Sequence, residues 1–206
     1  MIQRYPRLSA AIAVFFSTLC GGASSSQAPT TAAQPPFVLG EATIASIHAA
    51  FVSKTLTCQQ LVESYIARIE AYDDAGPSLN AILTLNPSAL NIAADMDTRR
   101  ASDPTGMEPL HCIPVILKDN YDTASLPTTG GSVVLAESIP LDNAFVVERL
   151  VAAGALILAK ANLTELARGG TTVSSLGGQT KNPYAPTRTP GGSSGGTGAA
   201  IAANFG

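Results

Sequence analysis

Charge is scarce in this chain. Asp, Glu, Lys and Arg make up 13% of its 206 residues, and the formal net charge is −3. No basic run exceeds Arg99-Arg100. That excludes nucleic-acid binding of the usual kind, which needs clustered Lys and Arg to displace counterions. No apolar run reaches the roughly 20 residues of a comfortable membrane span. The few cysteines and histidines show no spacing that fits a metal site, so no metal or cofactor is expected. A G-x-S-x-G elbow is absent as well, which leaves histidine-assisted serine chemistry of that type without support. There is no internal repeat.

What remains is an apolar, core-forming chain, 46% hydrophobic. Its length suits one domain or part of one. Arg4 and Arg7 precede an apolar stretch, Leu8 to Leu19, with small residues Ala23 and Ala28 after it. This reads as a signal peptide over residues 1–28, and hence as secretion. A flexible leader follows over 29–40, and one domain, or part of one, over 41–206. Beyond the leader the cysteines are Cys58 and Cys112. In an oxidising compartment they form one disulfide; otherwise they are two half-buried thiols, and sequence leaves both open.

Apolar spacing predicts a helix over Thr43–Ser53, with His48 a packed or surface residue of it. A second helix opens at Thr57, whose capping-box partner is Gln60 and whose apolar stripe is Leu61, Tyr65, Ile66 and Ile69. Ala81–Leu85 reads as a strand and Asn86-Pro87 as the start of a third helix. Leu110–Leu117 is an apolar strand approach ending at Lys118-Asp119-Asn120. A fourth helix is capped by Asp142, with Phe145, Val146, Leu150 and Ala153 facing inward and Gly154 at its stop. Ala155–Ala159 is a buried strand, and Thr164–Ala167 starts a short helix. Gly169–Gly198 is rich in Gly, Ser, Thr and Pro, and Ala199–Phe205 resumes as an apolar helix. Helices alternating with apolar strands predict an α/β domain.

Two places carry chemistry. Lys118 ends an uncharged apolar run, so it sits at a strand mouth, where desolvation disfavours an ammonium group. A lysine there serves as a base or pairs with a carboxylate such as Asp119. The second place is Gly191-Gly192-Ser193-Ser194-Gly195-Gly196, which offers hydroxyls on a backbone free to approach a ligand closely. A P-loop would need a Lys after the glycines and a strand before them; Asn182–Pro190 is no strand, and a dinucleotide fingerprint fails on the same ground.

Read in order, LHCIPVILKDN (Leu110–Asn120), AKANLTELA (Ala159–Ala167) and NPYAPTRTPGGSSGGTGAAIAANF (Asn182–Phe205) closely resemble the amidase signature family. The resemblance spans about Thr43 to Gly206. It implies an α/β/α core with a mixed central sheet, and hydrolysis of carbon–nitrogen amide bonds by a Ser–cis-Ser–Lys triad. Lys118 matches the general base and Ser193 the cis-serine relay. Ser194 matches a supporting serine. Gly131 and Ser132, within Thr129–Ser132, and Asn162 and Glu165, within Asn162–Glu165, match segments of the site wall.

The attacking serine of that family lies in a D-x-G-G-S segment, and no such segment occurs among these residues. The expectation is therefore a core incomplete at its C-terminus and a chain that is inactive alone, with an apolar face at Ile201–Phe205 left without partners. The implied substrate is a small-molecule or peptide amide. Two other readings are an inactive pseudoenzyme or binding module and, less in keeping with the signal-like N-terminus, the A component of an amidotransferase. Asn162-Leu163-Thr164 is a glycosylation sequon that the packed wall is expected to keep unmodified.

Overall fold

A computed structural model describes residues 37–206. The signal peptide (1–28), and the leader (29–40) up to residue 36, lie outside the described residues.

The chain enters through two capped helices. Thr43 caps α1 (Ile44–Val52), trading hydrogen bonds with Ser46 in a capping box. Thr57 caps α2 (Cys58–Ile69) in the same way with Gln60, as the sequence predicts. A π turn at Glu70–Asp74 ends α2. Asp73, buried there, accepts hydrogen bonds from the backbone N–H groups of Ala81 and Ile82, and so sets the chain's entry into β1 (Ile82–Leu85).

Next come α3 (Ala89–Ser102), β2 (Pro114–Lys118), α4 (Phe145–Ala152) and β3 (Leu156–Ala161). β3 is the middle strand, parallel to β2 and antiparallel to β1, so the sheet is mixed, in the order β1-β3-β2. All six residues of β3 are buried, as befits a strand covered on both faces. One face packs on Phe51, Leu61, Ile69 and Phe205, from α1, α2 and the segment after α5 (Gly195–Ala202). The other packs Leu117 and Ile157 on Val147 of α4 and on Leu126. Helices therefore cover both faces, which is the expected α/β/α layering.

Cys58 and Cys112 are disulfide-bonded, with Cα atoms 5.8 Å apart. The bond ties the first turn of α2 to the loop feeding β2.

Several local expectations change. Ala144, not Asp142, precedes α4, and no side chain caps it. Its inward residue is Val147, with Leu150 half-buried, while Phe145 and Val146 are exposed. Both faces of FVVERLVA satisfy the helical period, and the sheet selects the one whose side chains reach Leu117 and Ile157. β2 begins at Pro114 because residues 109–112 form a turn. A hairpin of two-residue strands, β4 (Val173–Ser174) and β5 (Gly178–Gln179), interrupts the Gly/Ser-rich stretch. α5 starts inside the glycine block rather than at Ala199. At its end Phe205 is fully buried and Ala203 nearly so, leaving only Ile201 of the expected bare face half exposed.

Candidate active site

β2 delivers Lys118 to the end of the sheet, and the loop ahead of α5 delivers Ser193 to the same point. Lys118 Nζ donates to Ser193 Oγ over 2.7 Å. Both residues are half-buried. The Gly192–Ser193 peptide bond is cis, matching the conformation that the family resemblance implies.

Thr164, inside the predicted wall segment Asn162–Glu165, and Thr172, which no motif singled out, hold this loop in place. Thr164 N–H donates to Ser193 O, and Thr164 Oγ1 accepts from Thr172 N–H. Thr172 Oγ1 then donates to Gly191 O at 2.6 Å and accepts from Gly195 N–H at 3.1 Å. Both threonines are buried. A Cβ on Gly192 would lie 2.8 Å from Thr164 Oγ1 and 2.9 Å from Thr172 Oγ1, so this close approach requires glycine.

The other predicted residues separate by role. Ser194 is exposed at the start of α5, and with Lys118 and Thr197 it lines a cavity of about 290 Å³ whose remaining walls include Leu117, Val146 and Leu150. A larger hollow of about 520 Å³, at Val52, Leu56 and Pro104, is far from this chemistry in composition: it has neither Lys118 nor a serine.

Asn162 is fully buried and its amide is fully used. Its Oδ1 accepts from Leu163 N–H and Ser174 Oγ, and its Nδ2 donates to Gly178 O and Thr180 Oγ1. These bonds brace the wall, and none of them goes to Ser193. Glu165 accepts from Ser175 N–H at 2.7 Å. Hydrogen bonds from the Ser175 hydroxyl and then from its N–H hold the Glu165 carboxyl below its ordinary value, and the Ser132 hydroxyl adds to them. Gly131 and Ser132 are buried in the adjoining turn.

The carboxylate next to Lys118 does not pair with it. Asp119 instead faces Lys160 of β3, Oδ1 to Nζ 3.4 Å, with both side chains fully buried. Burial pushes the Lys160 amine below its ordinary value, against the opposing pull of Asp119. A sequence signal for this existed: Lys160 is the one charge inside an otherwise apolar strand, LILAKA. Among the described residues, no group of acidic, His and Cys side chains is arranged to hold a metal ion.

As built, the site can pass a proton between a lysine amine and a serine hydroxyl at the edge of a small, largely apolar cavity. Comparison with known proteins bears on what that is for. The Amidase family profile matches residues 60–206. In Chloroflexus aurantiacus, the A component of glutamyl-tRNA(Gln) amidotransferase is 43% identical over 161 residues, covering 78% of this chain and 32% of that protein. The native peptide amidase of Stenotrophomonas maltophilia superposes with a TM-score of 0.77 at 42% identity, over 82% of this chain and 36% of that one. An amidase family protein of Bacillus anthracis gives 0.76 at 33% identity, over 81% and 34%. The chain spans about a third of the length of these relatives. On the extent of the profile match, it belongs to the Amidase (amidase signature) family.

Proposed function

We propose that these residues carry the Lys118–Ser193 part of a site that hydrolyses carbon–nitrogen amide bonds, with the attacking serine supplied from outside the 206 residues. Lys118 acts as general base and Ser193 relays the proton. The attacking serine loses its proton through Ser193 to Lys118 and takes the acyl group as the same path returns that proton to the leaving amine; water, deprotonated along that path, then releases the acid and restores the serine. Ser194 supports the network, and Gly131, Ser132, Asn162 and Glu165 hold the wall. The substrate is a small-molecule or peptide amide, and neither metal nor cofactor takes part in these steps. The observation that carries this reading is the 2.7 Å hydrogen bond from Lys118 to Ser193. Secretion is supported by the signal-like N-terminus and by the pairing of Cys58 with Cys112, since such bonds persist in oxidising compartments.

A second reading, the A component of an amidotransferase, is favoured by the names of the curated relatives. It predicts amide cleavage that depends on partner proteins and on a tRNA-linked acceptor. A serine-directed fluorophosphonate and a peptide-amide assay separate the cases. The 206-residue chain is expected to stay unlabelled. The chain extended along its reading frame is expected to label at a downstream D-x-G-G-S serine and to release ammonia from peptide amides unaided. Labelling of Ser193 itself would overturn the relay assignment. Activity only with partners would select the amidotransferase. No activity in either form would leave the pseudoenzyme reading.

A further inference from the structure

Lys118 and Lys160 lie on neighbouring strands, and the register sends them to opposite faces. Lys160 is opposite Leu117, and Lys118 is opposite Ala161. Side chains alternate along a strand, so Lys160 shares the face of Leu117, while Lys118 shares that of Ile116 and meets the Ser193 loop. Between the two lysines the chain leaves β2 at Asp119.

Asp119 is fully buried and gathers much of the surrounding structure. Its Oδ2 accepts from Thr129 N–H at 3.0 Å, from Gly131 N–H at 3.3 Å and from the Thr129 hydroxyl. Its backbone N–H donates to Ala161 O, and its carbonyl accepts from Gly130 N–H. Among the described residues Oδ1 has no hydrogen-bond partner, and it lies 3.4 Å from Lys160 Nζ. Lys160 in turn donates to Thr123 Oγ1, Pro127 O and Thr128 Oγ1 at 2.8–3.3 Å. The turn that Asp119 gathers passes the restraint on. Gly130 O accepts from Leu166 N–H and Gly131 O from Leu176 N–H, while Thr164, two residues before Leu166, holds Ser193 O.

We propose that Asp119 and Lys160 are positioning residues for the Lys118–Ser193 contact. Asp119 fixes the point where the chain leaves β2, directly after Lys118. It also fixes the Thr129–Ser132 turn against which the Ser193 clamp is built. Lys160 supplies the opposing charge to that buried carboxylate, because an ion buried without its partner is costly. The pair thus acts on both sides of the contact without touching Ser193.

The test reads the contact rather than the reaction, although the role assigned rests on the amide-hydrolysis reading. The chain has four lysines, so Nζ signals in a ¹⁵N-lysine-labelled protein are resolvable, and Lys118→Arg assigns the one of interest. In the otherwise wild-type chain, Ser193→Ala is expected to displace the Lys118 signal. In an Asp119→Asn background that displacement should shrink to about half or less, the signature of coupled sites in a double-mutant cycle. The Lys54 and Lys181 signals should stay in place, which general unfolding would not allow. Thr129→Val keeps the residue's size and removes one donor to the carboxylate. It should reduce the displacement in the same direction, and it decides the matter alone if Asp119→Asn does not fold. A full-sized displacement in either folded variant would overturn the proposal. A coupled Lys118 signal in a protein that cleaves no amide would instead sink only the reading of the reaction.

Discussion

Lys118 donates to Ser193 across 75 positions of sequence, from the last residue of β2 to the loop ahead of α5. If this contact moves the proton, both side chains act as one unit. In a longer protein that supplies the attacking serine we propose, Lys118→Met and Ser193→Ala should each lower kcat by about 10²–10⁴, the usual range for general acid–base assistance. The double variant should be little worse than the poorer single one, because residues acting together are strongly non-additive. Peptide-amide kinetics check this, with thermal melts to show that both variants stay folded. Additive losses would mean that the two residues work separately.

The disulfide makes a prediction that needs no assay of function. Cys58 and Cys112 are 54 positions apart. Closing a loop of that length removes enough unfolded-state entropy to contribute about 4 kcal/mol in the chain-entropy account. Denaturant unfolding with and without reductant should therefore show a large drop in midpoint. Cys58→Ser should reproduce that drop and be insensitive to reductant.

Much of this architecture was legible, for local reasons. The Thr57–Gln60 box and the stop at Gly154 rest on residues a few positions apart, and the helices follow. The Lys118–Ser193 pair was legible only through the order of three motifs, since neither residue is distinctive alone. Thr164 was legible only as part of the wall segment Asn162–Glu165, and Thr172 not at all, because a threonine becomes a clamp only when the fold brings a loop to it. The sequence offered Asp119 only Lys118 as a lysine partner, and the parallel register of β2 on β3 brought Lys160 to it instead. In α4, Phe145 and Val147 fit the helical period equally well, and only the sheet's inner face distinguishes them.

The N-terminus of α2 is held from outside its own helix. Asp97 of α3 accepts from Cys58 N–H at 2.8 Å and from Gln59 N–H at 3.0 Å. These are free donors of a helix start, and a carboxylate there is also favoured by the helix dipole. Asp97→Ala should cost about 1 kcal/mol, as cap losses do. Asp97→Asn, which retains one acceptor oxygen, should cost less. Urea titrations of the three proteins rank them.

Glu165 predicts a pH dependence of stability. Its folded-state carboxyl lies below the ordinary value of 4.5, chiefly through the Ser175 hydroxyl and N–H. A depressed acid stabilises the fold above its unfolded value and loses that contribution as pH falls through the folded one. The urea midpoint of the wild type should therefore exceed that of Glu165→Gln at neutral pH. The gap should close as the pH drops below about 4. A gap that widened on acidification would contradict the hydrogen bonds described at Ser175.

Two glycines of α5 should respond to alanine with opposite signs. In an exposed helix interior, Gly→Ala stabilises by up to about 1 kcal/mol, because glycine gives up more backbone entropy on folding. Gly198 is exposed, and a Cβ there would meet nothing within 4 Å, so Gly198→Ala should raise the melting temperature. Gly196 is buried on the first turn, and its Cβ would run into the backbone of Asn162, the residue that braces the site wall. That backbone cannot give way easily, since Asn162 N–H donates to Ala81 O and its side chain is fully engaged. Gly196→Ala should therefore lower the melting temperature despite its better helix propensity. It should also loosen the Ser193 loop, which thermal melts and the displacement of the Lys118 signal by Ser193→Ala would both register. The same packing leaves no room for a glycan on Asn162, so an intact-mass measurement on protein expressed through a glycosylating secretory route should show that sequon bare.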